Sequence, residues 1–166
     1  MSIVKFEIKP LCECVALFKE LDDKCFPQEM RLSHEELQGL IQADAECVVV
    51  RYNDCQIGLA VYISEEQAGT LLEEIDRNFT PLPTGVYSYS EAIDPEFQRL
   101  GLGIAMINEV IAQISNQGAT RLSAHVRTLH GWDMRRYAKL NITESRLVSD
   151  FWEDPQEVVK FQAVQL

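Results

Sequence analysis

Positive charge is scarce in this chain of 166 residues: 15 Lys and Arg stand against 26 Asp and Glu, a formal net charge of −11. Such a balance repels phosphate backbones, and the only short basic cluster, Arg135 and Arg136 with Lys139, is too small to act as a nucleic-acid footprint. Nucleic acids and anionic membranes are therefore excluded as expected partners, and cationic ones such as amines are favoured. No apolar stretch approaches the ~20 residues of a membrane span, and the opening Met1–Glu7 alternates instead of forming a signal-peptide core, so a cytoplasmic location is expected. The five cysteines (Cys12, Cys14, Cys25, Cys47, Cys55) are odd in number and contain no C-x-x-C pair, which argues against a disulfide framework. Cys12, Cys14 and Cys47 read as core packing rather than nucleophiles. The three histidines (His34, His125, His130) lack zinc-ligand spacing, so no metal is expected.

The hydrophobic content, 46%, and the length fit a single domain over residues 1–166. Ile3 to Ile8 alternates as a strand would, and Pro10 opens a helical segment. Ser33 with Glu36 three residues later forms a capping box before Leu37, Leu40 and Ile41. Cys47–Tyr52 and Gln56–Ile63 read as strands joined by Asn53-Asp54, which is hairpin-turn chemistry. Residues 64–80 predict an acidic helix or lid, with Glu65, Glu66, Glu73, Glu74 and Asp76 on a solvated face. Gly85–Ile93 is the next strand. The apolar residues Ile104, Ile107, Val110, Ile111 and Ile114 give a helix over Gly101–Gln117 that Gly118 ends. Leu122–Arg127 alternates as a strand, a short helix follows over Gly131–Leu140, and Arg146–Trp152 with Val158–Val164 closes the chain as a hairpin.

The informative segment is Ile93-Asp94-Pro95-Glu96-Phe97-Gln98-Arg99-Leu100-Gly101-Leu102-Gly103, between a strand and the long helix. Glycines there let backbone N–H groups at a helix N-terminus approach an anion, where the helix dipole also favours negative charge. A Walker loop is excluded because no Gly-Lys pair exists in the chain. A Rossmann fingerprint is excluded because its third glycine position holds Met106 and no acidic residue ends the next strand. What remains is Q-x-x-G-x-G after I-D-P, and this resembles the acyl-CoA loop of the GNAT superfamily of N-acetyltransferases. Leu122–Arg127, then His130, then Tyr137-Ala138-Lys139-Leu140-Asn141-Ile142 is similar to the family's next block, a strand ending in V-R and a helix bearing Y-x-x-L-G-F. The resemblance implies an α/β (α+β) fold with a mixed, mainly antiparallel sheet of about seven strands flanked by about four helices.

It also implies that Gln98, Arg99, Leu100, Gly101, Leu102 and Gly103 wrap the pyrophosphate of acetyl-CoA with backbone amides, and that Ile104 and His130 contact the same cofactor. The main chain of Glu91, Ala92 and Ile93 would pair with the pantetheine arm, with an N–H near Ile93 as oxyanion donor. Tyr137 is implied as the acid that protonates the departing thiolate; its alternative is a core helix residue. An ammonium acceptor must lose a proton before it attacks. His125 stands where some members carry a glutamate base, its alternative being a polar residue on the outer face of a strand. Glu91 is the rival base, its alternative a surface carboxylate. Two departures from the pattern are His130 in place of an Asn and Asn141-Ile142 in place of Gly-Phe.

The expected reaction is acetyl transfer from acetyl-CoA to a primary amine, small-molecule or peptide, by direct attack in a ternary complex. The competing expectations are a catalytically silent acyl-CoA-binding module and an interaction domain with an empty loop. Acceptor-recognising elements fall in residues 22–35 and 64–84; Trp132 and Trp152 are candidates for lining a pocket, their alternative being partly buried packing residues. A monomer or a homodimer is expected, the terminal hairpin offering an edge for pairing.

Overall fold

The computed structural model describes residues 3–128, 141–149, 151 and 158–166. Among them are seven strands, β1 (Val4–Pro10), β2 (Glu46–Tyr52), β3 (Cys55–Ser64), β4 (Gly85–Ile93), β5 (Arg121–Arg127), β6 (Ile142–Val148) and β7 (Val159–Gln165). Four α-helices accompany them: α1 (Val15–Cys25), α2 (His34–Gln42), α3 (Glu65–Leu72) and α4 (Leu102–Asn116). The strands form one mixed sheet in the order β1-β2-β3-β4-β5-β7-β6. β4 and β5 run parallel, while β1 with β2, β2 with β3, and β7 with both β5 and β6 run antiparallel. No helix among the described residues is long and apolar enough to cross a membrane.

Two compact units are distinguishable. Residues 1–62 and 89–110 make the first. Its local signals are realised by short-range chemistry. Asn53 and Asp54 both take left-handed backbone angles (φ 48° and 69°), the twist that a two-residue hairpin turn between β2 and β3 requires. At α2, the Ser33 hydroxyl accepts from the Glu36 N–H (3.2 Å) and the Glu36 carboxylate accepts from the Ser33 N–H (2.7 Å), completing the capping box. Leu11, Leu21, Leu40, Val48, Val50 and Ile107 are fully buried, as the periodicity of their segments requires.

Residues 63–88 and 111–166 make the second unit. Gly118, at φ +90°, ends α4. Here the structure corrects two expectations. α3 is only Glu65–Leu72, and the segment after it turns back through N–H bonds from Ile75 and Asp76 to the Leu72 carbonyl. Its carboxylates do not all lie on a solvated face: Glu66, Glu73 and Glu74 are exposed as expected, but Glu65 is 0% exposed and Asp76 is buried too, because β5 and β6 bring arginine, imidazole and hydroxyl partners to them from 49 to 70 residues away. β6 begins at Ile142, not Arg146, because it is in register with β7 from Ile142↔Val164 to Val148↔Val159. The helix expected over 131–140, and Trp152, lie outside the described residues.

Candidate functional site

The loop before α4 is built from its corner outward. Asp94 caps the short turn Pro95–Phe97, one carboxylate oxygen accepting from the Glu96 N–H (3.0 Å) and the other from the Lys24 ammonium (2.8 Å). The Lys24 hydrogen bond and the capping N–H hold the Asp94 carboxyl below its ordinary range. The Ile93 carbonyl receives two donors, the Gln98 side-chain amide (2.9 Å) and the Cys25 thiol (3.4 Å). Gln98, expected at the pyrophosphate, thus uses its amide to close the loop on itself, and the Ile93 carbonyl is engaged within the chain. Glycine at position 58 lets this corner pack closely: a β-carbon there would meet the Ile93 side chain and lie 3.2 Å from the Ala92 carbonyl.

Beyond Gln98 the backbone reaches the left-handed region at Arg99 (φ +66°) and again at Gly101 (φ +77°). Left-handed residues interrupting a turn make successive N–H groups converge into an anion-binding concavity. α4 follows directly, its first backbone bond running from the Ala105 N–H to the Gly101 carbonyl (3.1 Å). The N–H groups of Leu102, Gly103 and Ile104 therefore stand in the first turn, where a helix has no internal acceptors to offer. A β-carbon on Gly101 or Gly103 would meet no heavy atom within 4 Å, so the chain itself does not fill the space beside them. Leu100 and Ile104 flank that space, 60% and 46% exposed, while Leu102 is buried and anchors the turn.

On β4, Ala92 and Ile93 are buried and Glu91 is half-buried. The parallel pairing of β4 with β5 runs from Gly85↔Arg121 to Ser88↔Ala124, so Glu91, Ala92 and Ile93 come after the paired stretch.

His125 is not on an exposed strand face. Its side chain is 1% exposed, Nδ1 lies 2.8 Å from the Tyr87 hydroxyl and Nε2 lies 2.8 Å from the Asp76 carboxylate. Arg146 pairs with both oxygens of Asp76 and stacks its guanidinium over the Phe161 ring, 4.6 Å from the centroid. Phe151 stacks on the imidazole at 4.4 Å and 27°. Burial pulls the His125 pKa down to about 4, and the Arg146 charge adds to this against the opposing pull of Asp76. For Asp76, burial acts to raise the pKa, but the hydrogen bonds from Arg146 and His125 outweigh it and the group is lowered. The imidazole is neutral near pH 7 with both nitrogens engaged.

Sequence reasoning missed Tyr87, Asp76 and Arg146 as members of this chain of contacts, and no signal near any of them in sequence announces it. A second buried carboxylate, Glu65, accepts from Arg121 Nε (2.8 Å), the Leu82 N–H (2.8 Å) and the Ser123 hydroxyl. Tyr137 and His130 lie outside the described residues. Alongside α3, Glu66, Thr70, Glu73, Asp76, Phe79 and Pro81 border an open groove of about 790 Å³. Among the described residues, no three His, Cys, Asp or Glu side chains are placed to hold a metal ion.

Solved structures with this architecture include acetyltransferases. The ribosomal-protein-S18-alanine N-acetyltransferase of Escherichia coli superposes with a TM-score of 0.72 at 16% identity, over 98% of this chain and 94% of that one. The Drosophila melanogaster polyamine N acetyltransferase, which forms N-acetylagmatine, gives 0.71 at 11% identity, over 99% and 100%. The structure of yncA from Salmonella typhimurium with its cofactor acetyl-CoA gives 0.66 at 14% identity, over 99% and 94%. At these identities the likeness shows the fold. No curated protein matches the chain in sequence. The model of the acetyltransferase (GNAT) family matches residues 14–141, which include the whole anion loop and β5. With the sheet order, the left-handed turns at Arg99 and Gly101 and that match together, the chain belongs to the GNAT family of acetyltransferases, enzymes whose acetyl donor is acetyl-CoA.

Proposed function

We propose that residues 1–166 work as a single N-acetyltransferase domain that moves an acetyl group from acetyl-CoA to a primary amine by direct attack in a ternary complex. The observation that carries this reading is the loop from Gln98 to Ile104: two left-handed residues, then a helix N-terminus with open space beside both glycines. Main-chain N–H groups of Arg99 to Ile104 fit a pyrophosphate, with the dipole of α4 adding favourable charge. Leu100 and Ile104 supply apolar surface next to it. His130 is assigned a contact to the same substrate.

The pantetheine arm pairs with the main chain of Glu91 and Ala92 and with the N–H side of Ile93, because the Ile93 carbonyl is already engaged. For the proton of the amine, Glu91 is the better acceptor. His125 has no unengaged ring nitrogen, and a pKa of about 4 makes it a weak base near neutrality. Tyr137 is assigned as the acid that gives a proton to the leaving thiolate. A net charge of −11 suits a cationic acceptor, a small amine or a peptide N-terminus.

The test is transfer itself. Free CoA thiol is measured after mixing the protein with acetyl-CoA and, in turn, agmatine, spermidine, amino acids and peptides with free N-termini. Thiol release that needs both the protein and one of these amines supports the reading. Tyr137→Phe is expected to lower kcat and to remove the alkaline limb of its pH profile, and an unchanged profile rejects the acid assignment. Binding of acetyl-CoA without transfer to any amine would make the chain a silent acyl-CoA-binding module.

A further inference from the structure

The direction of each hydrogen bond in the chain Arg146–Asp76–His125–Tyr87 follows from chemistry alone. Asp76 is ionised, since its pKa is lowered, and a carboxylate only accepts. The proton between it and His125 therefore sits on Nε2. A neutral imidazole has one N–H, so Nδ1 is an acceptor and the Tyr87 O–H is its donor. Arg146, donating to both oxygens, and the Asn78 N–H, donating to Oδ1 (3.1 Å), supply the other hydrogen bonds that Asp76 accepts. The aromatic rings of Phe151 and Phe161 close over the imidazole, with centroids 4.4 Å and 5.1 Å away.

The place of the Tyr87 bond gives it consequence. Tyr87 is opposite Ser123, and the next pair, Ser88↔Ala124, is the last of the β4–β5 register. His125 follows Ala124 directly. The hydroxyl–imidazole bond is thus a diagonal tie between the two strands at the end of their backbone pairing.

We propose that Asp76 is a positioning residue acting through His125: it locks the imidazole in the Nε2–H tautomer, so that Nδ1 accepts from the Tyr87 hydroxyl and fixes β4 at the end of its register with β5, just before the residues assigned to the acyl-CoA arm. This rests on the reading that the following residues of β4 receive that arm. His125 is then a fixed acceptor rather than a base, and the imidazole does not change its protonation during turnover. Asn at position 76 tests the lock, because its amide can face Nε2 with either N–H or oxygen. With the N–H toward the ring, the imidazole must move its proton to Nδ1; the Tyr87 hydroxyl can then only accept from the ring, and its own proton loses its acceptor.

The experiment pairs two readouts on the intact chain. Nitrogen-15 spectra of the imidazoles, with the His125 signals identified by their loss in His125→Gln, report the tautomer between pH 6 and 9. Acetyl-CoA titration, well below the melting temperature, reports affinity. The wild-type protein is expected to show protonated Nε2 and unprotonated Nδ1 throughout. Asp76→Asn is expected to shift the tautomer signature and to weaken acetyl-CoA binding by on the order of fivefold or more. Tyr87→Phe keeps the ring and removes only the tie; it is expected to weaken acetyl-CoA binding similarly while leaving the Nε2–H tautomer in place, and it serves if Asp76→Asn does not fold. An Nδ1–H tautomer in the wild type, a His125 titration between pH 6 and 8, or unchanged acetyl-CoA affinity in the folded variants overturns the proposal. Failure of the wild type itself to bind acetyl-CoA would instead reject the functional reading beneath it.

Discussion

The carboxylate of Glu65 occupies the space that a β-carbon on Gly85 would need. Glu65 opens α3 and Gly85 opens β4, so this contact joins the ends of the excursion between them. Gly85 has no left-handed backbone to explain it; close approach is the reason for glycine here. Gly85→Ala is expected to destabilise the protein by about 2 kcal/mol or more, since the buried acid must move off Arg121 or the strand must shift. Urea unfolding measures this, and a loss under about 0.5 kcal/mol would contradict it.

Glu65→Gln probes the same cluster from its charge. Glu65 is fully buried and the Arg121 side chain is 14% exposed, so removing one charge leaves the other poorly solvated. The expected cost is about 3 kcal/mol, because Ser123 and the Leu82 N–H donate to different oxygens of Glu65 and the single amide oxygen can keep only one of them. A mutation at Arg51, whose ion pair with Glu7 is half-exposed at 3.6 Å, should cost less than about 1 kcal/mol by comparison.

Stability should fall as pH drops from about 6.5 to about 4, and His125 is the reason. Its pKa is about 4 in the fold against an ordinary value of 6.5, so in this window the unfolded chain binds a proton that the folded chain refuses. The stabilisation is complete above pH 6.5 and lost by about pH 4; a shift of this size corresponds to roughly 3 kcal/mol. Asp76 acts in the same sense at lower pH, its folded pKa being depressed, so its contribution is lost as pH falls through that folded value. Urea midpoints from pH 7 to pH 4 measure the slope. His125→Gln should flatten it, and an unaltered slope in that variant would assign the acid sensitivity elsewhere.

The two loop glycines separate folding from binding. Gly101 is at φ +77°, so Gly101→Ala should cost about 1 kcal/mol of stability and weaken acetyl-CoA binding. Gly103 is inside α4 without a positive φ, and a β-carbon there meets nothing of the chain. Gly103→Ala should therefore leave thermal stability unchanged or raise it slightly, alanine being the better helix former, while the KM for acetyl-CoA rises. A variant that loses stability yet binds normally would mean that the glycine serves the fold.

How much of this was readable in the sequence depends on how far each signal reaches. The Asn53-Asp54 turn, the Ser33–Glu36 box and the Gly118 stop act within four residues, and all three stand where the sequence placed them. The anion loop was equally legible, because its glycines and the helix after it are contiguous. The setting of His125 was not. Alternation of Leu122, Ala124 and Val126 suggests one covered face, but Ser123 and His125 on the other face are covered too, by Glu65, Asp76 and Phe151. Those partners lie 58 and 49 residues upstream for the two acids, and a charged run such as Glu65–Asp76 gives no local sign that its members will be desolvated. Glu65 and Asp76 were misread as solvated for that reason.

The central claim, that the Gln98–Ile104 loop receives acetyl-CoA, is tested most directly by one thermal titration. Wild type and Gly103→Ala are melted side by side against increasing acetyl-CoA, with NAD as control. Saturation at 100 times the dissociation constant adds about 2.7 kcal/mol, which for a chain of this size is a rise of several degrees. The expected result is a saturable rise for wild type with acetyl-CoA alone and a smaller rise at equal concentrations for Gly103→Ala. No rise in the wild type, or an identical rise in both, would contradict it.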